Sequence, residues 1–362
     1  MARSLASVAI VAMLSLAGCA RSESPRASLL DGAQSSSADV SIQQRLEDEH
    51  LPALKSVEPW GNEFSSGLKL TTDHYEIYTT VQQPLMLRRI PGFVESAFRG
   101  YNDQLAQPVE TSYKFTVYLF ADRRQWEDFT NAFAGDQAPV FCKIQTGAYY
   151  LNGACVVYDI GAVRTLAALG HEGWHQFNSR LFKYRLPSWL DEGVAMLFEA
   201  SIYEQGLFRF DPSQNVQRLG GLKRTLAGSK LIPLRELIAT SPGEALASDQ
   251  TETVMAFYSQ SYALVRFLHE SRYGTRLTAY RRLMQDGLQG SWPLDASAAE
   301  IAENRNIPRT IPWNRMVGRL LFERYVDADV ERLDAEYQAF CRRLVSGLTF
   351  IEVEEEDRFA AR

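Results

Sequence analysis

An α+β fold is what the order of patterns along the chain predicts: a small mixed β-sheet with its helices first, then a mostly helical second half. Three observations carry this expectation. Alternating stretches rich in Thr and Tyr are confined to the first 160 positions, apolar residues recur at helical spacing from Gly161 onward, and no motif repeats at a fixed period. The chain has 362 residues, 46% of them hydrophobic and 23% charged, which suits a folded protein with a sizeable core. Its 38 Lys+Arg against 44 Asp+Glu leave a net charge of −6, and that balance argues against a nucleic-acid partner. No GxxxxGK[ST], GxGxxG or GxSxG is present, so nucleotide binding and serine-hydrolase chemistry have no motif behind them.

Residues 1–18 read as a leader. Arg3 precedes the run SLASVAIVAMLSLAG, which at fifteen residues is short of the roughly 20 that a spanning helix needs. The run ends Leu16-Ala17-Gly18-Cys19, which resembles the bacterial lipobox, a motif whose cysteine becomes the lipid-carrying first residue of the mature protein. That resemblance implies lipidation at Cys19 and a place in the bacterial cell envelope. With Ala20 next, it points to an outer-membrane anchor facing the periplasm. An ordinary signal peptide is the alternative. Residues 19–60 then read as the lipidated cysteine and a flexible tether, since the serine-rich stretch 20–45 holds no aromatic residue to offset its ordering entropy.

The elements follow in order. Residues 71–81 (TTDHYEIYTTV) and 113–120 (YKFTVYLF) read as strands, and 84–105 as a helix interrupted by Pro91. A short helix is expected over 123–133, and a hairpin within 138–158 with ACVVYD as its return strand. A helix starts after Gly161, Pro187 breaks it, and 189–204 read as the next helix. Further helices are expected over 251–272, 275–286 and 325–346. Residues 61–290 are expected to form the main domain. Residues 291–362 would be a helical extension packed on it, ending in an acidic, solvated tail. Cys142 and Cys155 flank the hairpin, and an oxidising compartment would favour a bridge between them, whereas Cys341 sits at an apolar helical position as a buried thiol.

One motif carries chemistry. His171-Glu172-Gly173-Trp174-His175 is an HExxH sequence, and on a helix positions i and i+4 share a face, so both imidazoles can reach one metal ion. Glu172 lies one step round the helix, close enough to take a proton from water activated by the metal. The bland alternative is a pair of histidines on a polar helix face, satisfied by neighbours. A metzincin site would need Gly at 178 and His at 181, where this chain has Asn178 and Leu181. Sixteen residues separate His175 from Glu192, in the segment Pro187-Ser188-Trp189-Leu190-Asp191-Glu192-Gly193-Val194-Ala195. A helix, a turn and a second helix packed against the first can return Glu192 to the two histidines.

The WLDEGVA stretch resembles the WLNEGFA-type segment of gluzincin peptidases, the class that contains aminopeptidase N and thermolysin. The resemblance implies a zincin-like fold, one Zn2+ held by His171, His175 and Glu192, and a peptide or protein substrate in the envelope. Glu199, two helical turns on, would orient a ligand from behind or form a surface salt bridge. Tyr258-Ser259-Gln260-Ser261-Tyr262-Ala263-Leu264-Val265-Arg266 is similar to the helix bearing the catalytic tyrosine of aminopeptidase-N-like enzymes. It implies Tyr258 as oxyanion donor, with Tyr262 as competitor. Residues 147–153 are similar to the GAMEN segment of aminopeptidases, but Tyr150 stands where those enzymes carry the Glu that grips a free amino terminus. That departure favours cleavage within a chain. Over residues 70–345 the layout resembles the peptidase-MA-like proteins of bacteria, a group that adds fold and metal but no substrate. Two other functions compete: an envelope binding lipoprotein that has lost catalysis, and a structural zinc in an adhesion or assembly factor, for which no fourth protein ligand is evident. His269, in ALVRFLHES, is expected on a polar helix face, and His50 and His74 have no carboxylate or Cys partner at ligand spacing.

Overall fold

The computed structural model describes residues 37–144, 147–247 and 251–348. The leader, Cys19 and the acidic run over 352–357 lie outside the described residues. The first half runs α1 (Ser37–Asp48), β1 (Ser56–Gly61), β2 (Ser66–Thr71), β3 (Tyr75–Thr79), α2 (Pro84–Asn102) and β4 (Phe115–Phe120). It continues through α3 (Arg123–Ala134), α4 (Ala138–Phe141), β5 (Ala148–Leu151) and β6 (Ala154–Tyr158). The six strands form one mixed sheet in the order β1-β2-β3-β4-β6-β5. The β3–β4 and β4–β6 pairs are parallel and the other three antiparallel, which leaves β5 as an antiparallel edge beside a parallel core.

Strand alternation sorts the side chains into two layers. Ile77, Val117, Cys155 and Val157 face α2 and the long helix that follows β6, within the main core. Tyr149, Leu151, Ala154 and Val156 face the other way, onto Trp126 and Phe129 of α3 and Phe141 of α4. Three expectations fall here. The Cys142–Cys155 bridge does not form: both are free thiols. Cys142 closes α4 next to Phe141 in the second layer, whereas Cys155 points to the opposite face of the sheet, its Sγ 3.5 Å from Gln176 Oε1. The tether is also shorter than 19–60, because α1 and β1 occupy Ser37–Gly61 and put Leu46 and Val57 into the core. Nor does Pro91 interrupt α2, which runs unbroken from Pro84 to Asn102 with Pro91 buried.

The second half is helical, so the α+β layout stands. It comprises α5 (Ala162–Leu181), α6 (Ser188–Ala195), a 3-10 turn over Met196–Phe198, and a separate hairpin of β7 (Ser201–Glu204) and β8 (Leu207–Phe210). Then come α7 (Val216–Ala227), α8 (Leu234–Leu237), α9 (Pro242–Ala247), α10 (Thr251–Glu270) and α11 (Leu277–Gln289). Last are α12 (Ala296–Glu303), α13 (Ile311–Tyr325) and α14 (Val330–Leu344). The expected helix over 189–204 is thus only eight residues of α-helix before it tightens and turns into a strand. Val317, Phe322, Leu333 and Tyr337 belong to the same apolar core as Ile77 and Trp174, so α13 and α14 share one interior with the sheet.

Candidate metal centre

Helix α5 carries HExxH with every one of its five residues buried. It is fastened to the sheet by Gln176, whose Nε2 donates to Thr116 O and Gly153 O, both at 2.8 Å. Gly173 is small because Tyr101 of α2 crosses there: a Cβ would lie 2.4 Å from the Tyr101 hydroxyl, which donates to Gly170 O at 2.7 Å. Helix α6 comes back onto α5 after the linker 182–187 and lies against α10. Gly193 allows that approach, since a Cβ would stand 2.6 Å from both Ser261 O and Val265 Cγ2.

This packing brings His171, His175 and Glu192 together. The two Nε2 atoms are 3.2 Å apart, and Glu192 Oε2 is 3.5 Å from that of His171 and 3.8 Å from that of His175. One coordinating atom from each of the three falls within a 4.8 Å group, with all three residues buried. Each Nδ1 faces a carboxylate instead: Glu199 Oε1 at 2.9 Å from His171, Asp191 Oδ1 at 3.0 Å from His175. Such partners hold the ring proton on Nδ1 and turn both Nε2 lone pairs inward. Three acceptors facing one another repel unless a cation lies between them. Two nitrogens bound at 2.0–2.1 Å to one tetrahedral zinc would be about 3.3 Å apart, close to the spacing found.

The charges agree with that fit. Glu172, Asp191 and Glu192 are buried carboxylates and Glu199 is half-buried, and the guanidinium groups against them are Arg218, which grips Glu199 with both arms at 2.8 and 2.5 Å, and Arg309, 3.8 Å from Asp191. Four negative groups against two positive ones leave a deficit that a divalent cation closes. Without one, protons fill the gap. Burial opposes charge on His171, but hydrogen bonds to Glu192 and Glu199 push its pKa up to about 10. Glu172 goes up to about 7, mainly by burial, with His175 and His171 pulling the other way. Burial also opposes the charge on Glu199, yet Arg218 holds it well below the usual carboxylate range.

Tyr258 of α10 is buried near the site. Its hydroxyl pKa is raised well above the ordinary value by burial and then by the charges of Glu192 and Glu172, with Arg218 working against them. Tyr262 is committed elsewhere, donating to Pro212 O and accepting from Arg266 Nη1 at 3.1 Å. The edge strand β5 reaches the site as well. Its two-residue turn, Asn152-Gly153, has φ of 49° and 83°, as a type I′ hairpin requires. In that register the backbone groups of Ala148 and Tyr150 point away from β6, and the Tyr150 N–H donates to Glu172.

Glu199 is not on α6, as a continuous helix would have it; it follows the 3-10 turn and reaches His171 from there. Sequence reasoning missed Asp191, Asn178, Arg218 and Arg309 as partners. Asp191 stood beside Glu192 in the motif already quoted, but Arg218 and Arg309 carry no local signal. A scan against protein-family models, a search of curated proteins and a search of solved structures each found no match to this chain.

Proposed function

We propose that this protein is a zinc metallopeptidase that cuts within polypeptide chains, tethered by lipid at Cys19 in the bacterial cell envelope. The observation that carries the reading is the convergence of two Nε2 atoms and a carboxylate oxygen at metal-ligand spacing, with Glu172 on the same helix. A zinc ion held there would polarise a peptide carbonyl and acidify water toward neutrality. Glu172 takes the proton and returns it to the departing amine. Tyr258 remains protonated at any physiological pH and donates to the oxyanion. The outward backbone groups of Ala148 offer an edge along which an extended chain can pair. Tyr150 leaves no acidic group in that strand to hold a free amino terminus, which favours internal cleavage.

Glu172→Gln tests the assignment. Zinc content is expected to stay at the wild-type level while hydrolysis of an unfolded polypeptide falls by about 10²- to 10⁴-fold. Wild-type rates in that variant would remove Glu172 from the mechanism.

A further inference from the structure

The two imidazoles are supported by matching relays. His171 leans on Glu199, and Glu199 is held by Arg218 with both nitrogens. His175 leans on Asp191, which also accepts from Asn178 Nδ2 at 2.8 Å and faces Arg309 Nη1 at 3.8 Å. The difference lies in where the cations come from. Arg218 belongs to α7, next to the site in sequence, whereas Arg309 lies between α12 and α13, in the segment that the sequence marks as an extension.

Arg309 does two things at once. The same Nη1 donates to Leu186 O at 2.8 Å, in the linker that sets how far Glu192 stands from the histidines. That linker is held mostly by the segment 287–314. Lys183 N and Tyr184 N donate to Leu288 O and Gly287 O, Arg185 N to Ala302 O, and Arg305 Nη2 to Phe182 O. The N–H of Ser188, where α6 starts, donates to Asn314 Oδ1 at 2.8 Å. Asp191 and Glu192 are adjacent and both buried, so their charges repel. A guanidinium 9% exposed and set against Asp191 offsets that repulsion.

We propose that Arg309 is a positioning residue of the metal centre: it acts through Asp191 and the 182–187 linker to bring His175 and Glu192 to one point. The C-terminal segment is thereby part of the site. This rests on the metallopeptidase reading for the identity of the ion, not for the contact itself.

The test uses the full mature chain and zinc as the probe. In competition with a chelator, Arg309→Ala is expected to weaken zinc binding about 10- to 100-fold, as losses behind a ligand do, and Arg309→Lys to recover part of it. Arg305→Ala removes a single linker bond, at Phe182, and leaves the contact of Arg309 with Asp191 in place, so it should stay within about twofold of wild type. A second readout needs no metal. In zinc-free protein, Arg309→Ala should lower the urea midpoint less in an Asp191→Asn background than in the wild type, because the two act on each other. Unchanged zinc affinity in Arg309→Ala, equal losses in Arg305→Ala, or additive midpoints would each overturn the proposal. A wild-type chain that binds no zinc would sink the metallopeptidase reading and leave the midpoints to decide the role of Arg309.

Discussion

His171, Glu172, His175 and Glu192 were legible because their geometry is local: a helix sets the first three, and one turn with a second helix returns the fourth. Their supports were legible only in part. Asp191 adjoins a ligand and Glu199 follows it closely, but no spacing rule announces the guanidinium groups that stabilise these carboxylates, Arg218 from the nearby α7 and Arg309 from the distant segment between α12 and α13. His269 shows the opposite case, a histidine that the fold keeps neutral. It packs edge-on against Tyr280, and its Nε2 meets no hydrogen-bond partner among the described residues. Burial, with help from the Arg281 charge, lowers its pKa from 6.5 to about 4. The unfolded chain therefore binds a proton that the folded chain refuses, so stability falls as pH drops from about 6.5 to about 4. The full difference corresponds to about 3 kcal/mol. Urea midpoints at pH 7.5 and pH 5 should separate less in His269→Phe than in the wild type; an identical separation would place the titration elsewhere.

At the scale of elements, strands with Thr and Tyr alternation and the long helix after Gly161 were visible because their patterns are periodic and long. The stretch 189–204 misled because Trp189, Val194, Met196, Leu197 and Phe198 keep an apolar, helix-like density through a region that tightens after Ala195 and becomes β7. The edge strand β1 and its neighbour β2 were invisible for another reason: Pro59 and Gly67 break the alternation that marks a strand. Gly67 has no room for a side chain, since a Cβ would meet Thr79 O at 2.0 Å. Gly193 is the element-scale hinge of the site, because the α6–α10 contact and the position of Glu192 both depend on it. Gly193→Ala should cost about 1–3 kcal/mol by overpacking and reduce zinc binding together with stability. A variant of full stability and full metal content would show that the two helices have slack the structure does not display.

In the whole molecule the division expected near residue 290 dissolves into one interior. Trp189 of α6 packs edge-on to Phe322 of α13, and Asn314, almost wholly buried, joins the start of α6 to the carbonyls of Ala239 and Thr240. Such long-range partners have no counterpart in local sequence pattern, which is why residues 291–348 read as an appendage. No helix among the described residues is long and apolar enough to cross a membrane. On the proposed reading, the buried cluster of His171, His175 and Glu192 holds a zinc ion. The most direct measurement is the metal content of the chain from Ala20 onward, purified without added metal or tag histidines, beside that of Glu192→Ala. About one zinc per chain is expected in the former and none in the latter. A chain that takes up no zinc even when incubated with it, or a Glu192→Ala variant that keeps its zinc, would contradict the claim.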